Sequence, residues 1–265
     1  MRYLATNHSP KLISSIFKRS VMSFVQAAPE RKQKLIENYT SIETQVKNAE
    51  VGKPVTLVAV SKLKPSSDIQ ALYDHGVRHF GENYVQELVS KAKELPKDIK
   101  WHFIGGLQTN KCKDLGGHIE NLYAVETIDS LKKCRKLDSA REGTGFAKIN
   151  VYLQINTSGE DQKSGYSLEK LDELYETVEF LLNKSKNLNL GGLMTIGLFA
   201  ESTGDLDENK DFAALSTLKK QLDEKYSTSL LLSMGMSSDF LLAIKQGALS
   251  VRVGTSIFGA RPPRN

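Results

Sequence analysis

Only two cysteines, Cys112 and Cys134, occur in 265 residues. So few argue against a disulfide scaffold and fit a reducing compartment. There is no CxxC pair and no His/Cys cluster, so no metal site is expected. The five histidines are scattered along the chain. No apolar run approaches the ~20 residues that a membrane-crossing helix needs, which speaks against a membrane protein. No GxGxxG follows the first strand-like segment, so a dinucleotide-binding half is unsupported.

Acidic residues are missing from one stretch. Residues 1–29 hold Arg2, Lys11, Lys18 and Arg19 and no Asp or Glu. These four account for most of the net charge of +5, since the other thirty-two basic residues nearly balance thirty-one acidic ones. The body therefore lacks a basic footprint for phosphate backbones, and nucleic acid is not an expected partner. The first segment is basic and serine-rich, and Leu12, Ile13, Ile16 and Phe17 can share a helical face. This pattern fits a mitochondrial leader, with Met22 as an internal start for a cytosolic form; the bland alternative is a disordered tail. The chain divides into a leader, 1–29, and a folded body, 30–265. The expected address is cytoplasmic, mitochondrial or both.

From Glu30 onward, helix-like and strand-like segments alternate. A helix from Glu30 to Ala49 carries Leu35, Ile36, Tyr39, Ile42 and Val46 on one face. Strands are predicted at Val55–Val60, Val77–Phe80, Trp101–Ile104, Leu122–Val125, Ile149–Ile155, Leu190–Thr195, Leu230–Ser233 and Ser250–Val253. Helices are predicted from Ser66 or Ser67 to Gly76, from after Asn83 to before Pro96, and from Ser130 to about Ala140. Three more are predicted at Leu168–Leu182, Asp211–Tyr226 and Asp239–Gln246. Eight strands alternating with helices in one α/β domain point to a (β/α)8 TIM barrel; an open doubly wound sheet is the alternative.

The chemistry converges on the carboxyl ends of those strands. Lys62 follows the apolar run Val55–Val60, where barrel loops build active sites. Partial desolvation there lowers an amine's pKa and leaves more of it neutral and nucleophilic, able to form a Schiff base with an aldehyde. On the last strand Arg252 alternates with Val251 and Val253. Gly254 permits close backbone approach, Thr255 adds a hydroxyl, and Ser237 lies ahead of a helix. Each residue has a plain reading: Lys62 as a surface lysine, Ser237 as a helix cap, Gly254 as a turn, Arg252 as a partner for a carboxylate. Together, an amine, an arginine and a phosphate nest on one rim suit a ligand with an aldehyde, an aromatic nitrogen and a phosphate. Pyridoxal 5′-phosphate is such a ligand.

Several stretches carry a resemblance. They are Val60-Ser61-Lys62, Phe80-Gly81-Glu82-Asn83-Tyr84-Val85-Gln86-Glu87, Trp101-His102-Phe103-Ile104-Gly105, Gln108-Thr109-Asn110-Lys111 and Lys163-Ser164-Gly165. Further on come Gly192-Leu193-Met194, Ser233-Met234-Gly235-Met236-Ser237 and the run from Val251 to Arg261. In this order they resemble the family of pyridoxal phosphate homeostasis proteins, whose barrel is like the alanine racemase N-terminal domain. The resemblance spans nearly everything after Glu30 and does not include the leader. It implies that Lys62 carries the cofactor as a Schiff base, that Arg252 faces the pyridine nitrogen, and that Ser237, Gly254 and Thr255 hold the phosphate. Asn83 matches a position near the cofactor. His102 and Lys163 belong to matching motifs without an assigned role, and His102 reads equally as a satisfied core histidine.

The expected function is intracellular buffering and delivery of pyridoxal phosphate by a monomer, with apo enzymes as recipients. A cationic Arg252 disfavours protonation of the ring nitrogen, which suits a carrier better than a catalyst. No catalytic residue is therefore assigned. Tyr84 is read as a helix-packing aromatic rather than as a second base. The alternative is a weak amino-acid racemase; a Schiff-base aldolase, suggested by barrel chemistry alone, does not fit the motifs.

Overall fold

The computed structural model describes residues 26–160, 163–197 and 208–260. Most of the leader, residues 1–25, lies outside the described residues, and so does Arg261 at the end of the last matching stretch. Helix α1 (Pro29–Ala49) starts on a proline, whose missing N–H costs nothing in a first turn, and buries Leu35, Tyr39, Ile42 and Val46. Strand β1 (Thr56–Val60) is buried on both faces from Leu57 to Val60. Leu57 and Ala59 join the core beneath the helices, which leaves Val58 and Val60 facing the opposite side.

The chain continues through α2 (Ser66–Asp74), β2 (His79–Glu82), α3 (Val85–Glu94), β3 (Lys100–Phe103), a 3-10 turn (Thr109–Lys111), α4 (Cys112–His118) and β4 (Leu122–Ile128). Next come α5 (Leu131–Arg141), β5 (Ile149–Asn156), β6 (Tyr166–Ser167), α6 (Asp172–Asn183) and β7 (Leu188–Met194). The remaining elements are α7 (Lys210–Tyr226), β8 (Leu231–Ser233), α8 (Phe240–Lys245), β9 (Ser250–Val253) and α9 (Thr255–Phe258). The sheet order is β4-β3-β2-β1-β9-β8-β7-β5-β6, and β4 also pairs with β5. That pairing closes eight parallel strands into a barrel and rules out the open sheet. The two-residue β6 hangs on the end of β5, outside the ring.

Ring closure produces two interiors. The larger core fills the space between strands and helices. Inside the barrel, Ala124, Tyr152 and Met194 form a small apolar plug with Leu231. Polar side chains fill the rest, as described below. Among the described residues no helix is long and apolar enough to cross a membrane.

All eight predicted barrel strands are present, with shifted edges. β2 begins two residues later than Val77 and runs through Gly81 and Glu82, because pairing sets its register: Phe80 faces Ala59 and Gly81 faces Val60. Neither Ser66 nor Ser67 caps α2. Pro65 is the cap residue, no side chain bonds the free N–H groups, and the helix ends at Asp74. Helix α6 begins at Asp172, four residues after the predicted Leu168. The sequence reading missed α4. Gly116 and Gly117 weaken its helical signal, and the first of them packs tightly: a Cβ on Gly116 would lie 3.0 Å from Ala140 Cβ and 3.2 Å from Leu137 Cδ1.

Candidate active site

Lys62 is the second residue after β1, and Arg252 lies in β9, the strand paired with it. Parallel pairing puts the carboxyl ends of all barrel strands on one rim. There a cavity of about 340 Å3 is lined by Lys62, Asn83, Ser237, Arg252, Gly254 and Thr255. All six residues singled out from the sequence therefore meet in one place. Val60, Lys64, Ile104, Ile196, Met236, Ser238 and Phe258 also line it, and sequence reading had not proposed them. Their apolar members supply the hydrophobic wall that small-molecule sites need.

Close backbone approach shapes the floor. A Cβ on Gly254 would sit 3.3 Å from the Val60 carbonyl oxygen. One on Gly105 would come within 1.9 Å of the Asn83 carbonyl oxygen, so only glycine lets the end of β3 pack beside Asn83. Asn83 Oδ1 is buried and has no hydrogen-bond partner among the described residues. A buried amide oxygen left in this way costs about 1–3 kcal/mol, which a ligand donor could recover.

Arg252 is buried and held from behind. Its Nη1 donates to Ser233 Oγ at 2.6 Å and its Nη2 to the Thr195 carbonyl at 2.9 Å. Ser233 Oγ donates in turn to Glu126 Oε2 at 2.5 Å, and Arg252 Nη1 lies 3.9 Å from the same oxygen. Glu126 Oε1 accepts from His102 Nδ1 at 2.6 Å. His102 Nε2 meets His79 Nδ1 at 2.9 Å. A hydrogen-bonded chain thus descends the barrel from the cavity: Arg252, Ser233, Glu126, His102, His79.

Burial pushes the Glu126 carboxyl upward, but His102, Arg252 and Ser233 together outweigh burial and hold it below its ordinary value. Burial lowers the Arg252 guanidinium, against the opposing fields of Glu126 and Asp239. An arginine starts so high that it remains a cation. His79 is lowered to about 3, chiefly by burial and then by His102 and Lys100, so it is neutral at pH 7.

Three sequence readings need revision. The histidines are not all scattered, since strand pairing brings His79 onto His102. Tyr84 does not pack as a helix aromatic; it precedes α3 and is 46% exposed. Ser237 does not cap α8, whose cap residue is Asp239, and that carboxylate accepts from Met236 N–H at 2.6 Å. His102 is the satisfied core histidine, and Arg252 does approach a carboxylate. Lys163 lies apart in a smaller neighbouring cavity of about 230 Å3 and pairs with Glu160. The two cavities share Asn83, Ile104 and Ile196. Glu126 was missed, although an acidic residue inside the apolar run Leu122–Ile128 is a visible signal. Among the described residues no group of three potential metal ligands occurs.

Known proteins resemble this chain over most of its length. Residues 31–262 match the family model for the alanine racemase N-terminal domain. The pyridoxal phosphate homeostasis protein of Schizosaccharomyces pombe is 49% identical over 221 residues, covering 83% of this chain and 90% of that one. The Homo sapiens protein of the same name is 43% identical over 216 residues, covering 77% and 76%. Among solved structures, PipY of Synechococcus elongatus PCC7942 with PLP bound is 33% identical. It superposes with a TM-score of 0.69 over 85% of this chain and 100% of that one. The chain belongs to the alanine racemase N-terminal domain family and, within it, to the pyridoxal phosphate homeostasis proteins.

Proposed function

We propose that this protein binds pyridoxal 5′-phosphate in the Lys62 cavity and serves its intracellular buffering and delivery. One observation carries the reading: Lys62, Arg252, Ser237, Gly254 and Thr255 line a single cavity in a chain whose relatives bear that name. The residues fit the group on their chemistry. A primary amine matches an aldehyde, and a buried cation matches a ring nitrogen. Two hydroxyls beside a glycine match a phosphate, and Asn83 has an unpartnered buried oxygen to offer.

When bound, the group supplies an aldehyde that condenses with an amine and releases water. Lys62 is the amine in this reading. Ser237 and Thr255 donate to phosphate oxygens, and each bond to the charged group contributes about 1.5–3 kcal/mol. Arg252 remains a cation, and Glu126, linked to it through Ser233, supplies a buried counter-charge. A fixed cation disfavours a proton on any ring nitrogen facing it, which weakens that ring as an electron sink. That feature supports holding and hand-over rather than turnover.

The protein should be yellow when loaded. Borohydride reduction followed by peptide mapping should place the pyridoxyl group on Lys62, and Lys62→Ala should abolish it. Labelling confined to Lys64 or Lys111 would sink the assignment. Loaded protein should restore activity to an apo enzyme that uses the cofactor, without exchanging the α-hydrogen of free amino acids for deuterium. Rapid exchange lost in Lys62→Ala would favour the racemase. We also infer a monomer, because ring closure leaves no open barrel edge to pair with a second copy; sedimentation tests this. The leader is proposed as an address, tested by imaging tagged forms that begin at Met1 or Met22.

A further inference from the structure

Lys62 sits in a loop that its own sequence would not choose. The next residue, Leu63, has φ of 60°, in the left-handed region, one of two non-glycine residues there among those described. For a leucine this costs about 1–2 kcal/mol. Burial does not compensate, because Leu63 is 40% exposed. Its backbone is held instead by a cluster beside the loop.

Leu63 N–H donates to Glu87 Oε1 at 2.8 Å. The same oxygen accepts from Lys91 Nζ at 2.6 Å. Lys91 Nζ also donates to the Ser61 carbonyl at 2.9 Å and to Glu82 Oε1 at 2.7 Å. Ser61 Oγ donates to Glu82 Oε1 at 2.6 Å. Both sequence neighbours of Lys62 are therefore tied to one buried ammonium. Ser61 is tied through its carbonyl and, by way of Glu82, its hydroxyl; Leu63 is tied by way of Glu87. Glu82 ends β2, and Glu87 and Lys91 lie one turn apart on α3. None of the three lines the cavity. The Lys91 side chain is 6% exposed, a depth at which a lysine bears a desolvation penalty that an ordinary helix position does not impose. Its three donors are all used, and all go to this loop or to the carboxylates that hold it.

We propose that Lys91 is a positioning residue for Lys62: with Glu82 and Glu87 it fixes the backbone from Ser61 to Leu63 and so orients the Lys62 amine for covalent attachment without touching the ligand. This rests on the reading that Lys62 is the attachment point.

Two ligands separate positioning from general damage. Pyridoxal 5′-phosphate can bond to an amine. Pyridoxine 5′-phosphate carries an alcohol at the same carbon and cannot. Lys91→Met keeps the apolar stem and removes the ammonium. It should weaken the aldehyde by about tenfold or more while changing the alcohol by less than about threefold. In the ligand-free protein, amide exchange at Leu63 should quicken by about tenfold or more, since its anchor is loosened. Lys91→Arg should recover part of both effects. Equal weakening of both ligands, or unchanged exchange at Leu63, would overturn the proposal. If Lys91→Met does not fold, Glu87→Gln, at a partly exposed position, gives the same two readouts. A wild-type protein that binds the two ligands equally would show that the Lys62 reading itself has failed. Normal discrimination that persists in the variants overturns only the role of Lys91.

Discussion

Two glutamates in this barrel, Glu126 and Glu82, are both 0% exposed, yet their surroundings move them in opposite directions. Glu126 lies inside the ring, with a donor on each oxygen and Arg252 behind one of them. Its carboxyl is held below the ordinary value. Glu82 lies beside α3, with both of its donors, Ser61 and Lys91, on Oε1. Its Oε2 is buried without a partner among the described residues, and it shares the Lys91 ammonium with Glu87. Burial, aided by Glu87, raises it to about 7 against Lys91 and Ser61. Equal burial thus produces unequal chemistry. What decides is whether both oxygens are bonded and whether the local charges balance. The balanced cluster keeps a cation at the cavity, whereas the unbalanced one braces the loop of Lys62.

The largest test of this contrast is Glu126→Leu. It removes the nearer of the two carboxylates that support Arg252 and leaves Asp239, and losing one partner of a buried pair costs about 3–5 kcal/mol. Urea unfolding at pH 7 should show that loss. A change under 1 kcal/mol would mean that Arg252 finds a substitute, and the contrast would collapse.

Glu82→Gln comes next, and its signature is a pH dependence. A carboxyl raised in the folded state makes the native protein bind more protons than the unfolded one. Its favourable contribution is complete below about 4.5 and is lost as pH rises to about 7. Glutamine cannot titrate. The stability of the variant relative to wild type should therefore improve by up to about 3 kcal/mol between those limits. Parallel curves would remove Glu82 from the raised group.

His79→Gln should give the smallest change, on the acid side. A depressed imidazole binds fewer protons folded than unfolded, so wild-type stability falls as pH drops from about 6.5 toward 3. The variant should lack that loss, which partial solvent access limits to about 1–2 kcal/mol. If its acid limb matched that of wild type, His79 would not be the neutral end of the chain.

Much of the site was legible because its parts are local. Lys62 ends an apolar strand, and Arg252 interrupts one. Gly254, Thr255 and Ser237 mark the loops where barrels hold ligands. The support behind them was harder to read. Glu126 and Ser233 are 107 residues apart, and nothing in Val125-Glu126-Thr127 says which strand will stand opposite. His79 and His102 look scattered until β2 pairs with β3. Tyr84 looked like a packing aromatic because period alone cannot tell a helix interior from the turn before it.

By itself the sequence determined the alternation of strands and helices, the eightfold count, and the amine and guanidinium at two strand ends. These follow from short-range periodicity and from the placement of charge within apolar runs. Closure was decided only by tertiary structure. The pairing of β4 with β5 completes the ring that carries Glu126 to Ser233 and Arg252, and the docking of α3 carries Lys91 to Ser61. Partners that lie far apart in sequence meet only when the ring closes. The ionisation of each carboxylate depends on those partners, so it could not be read from the chain alone.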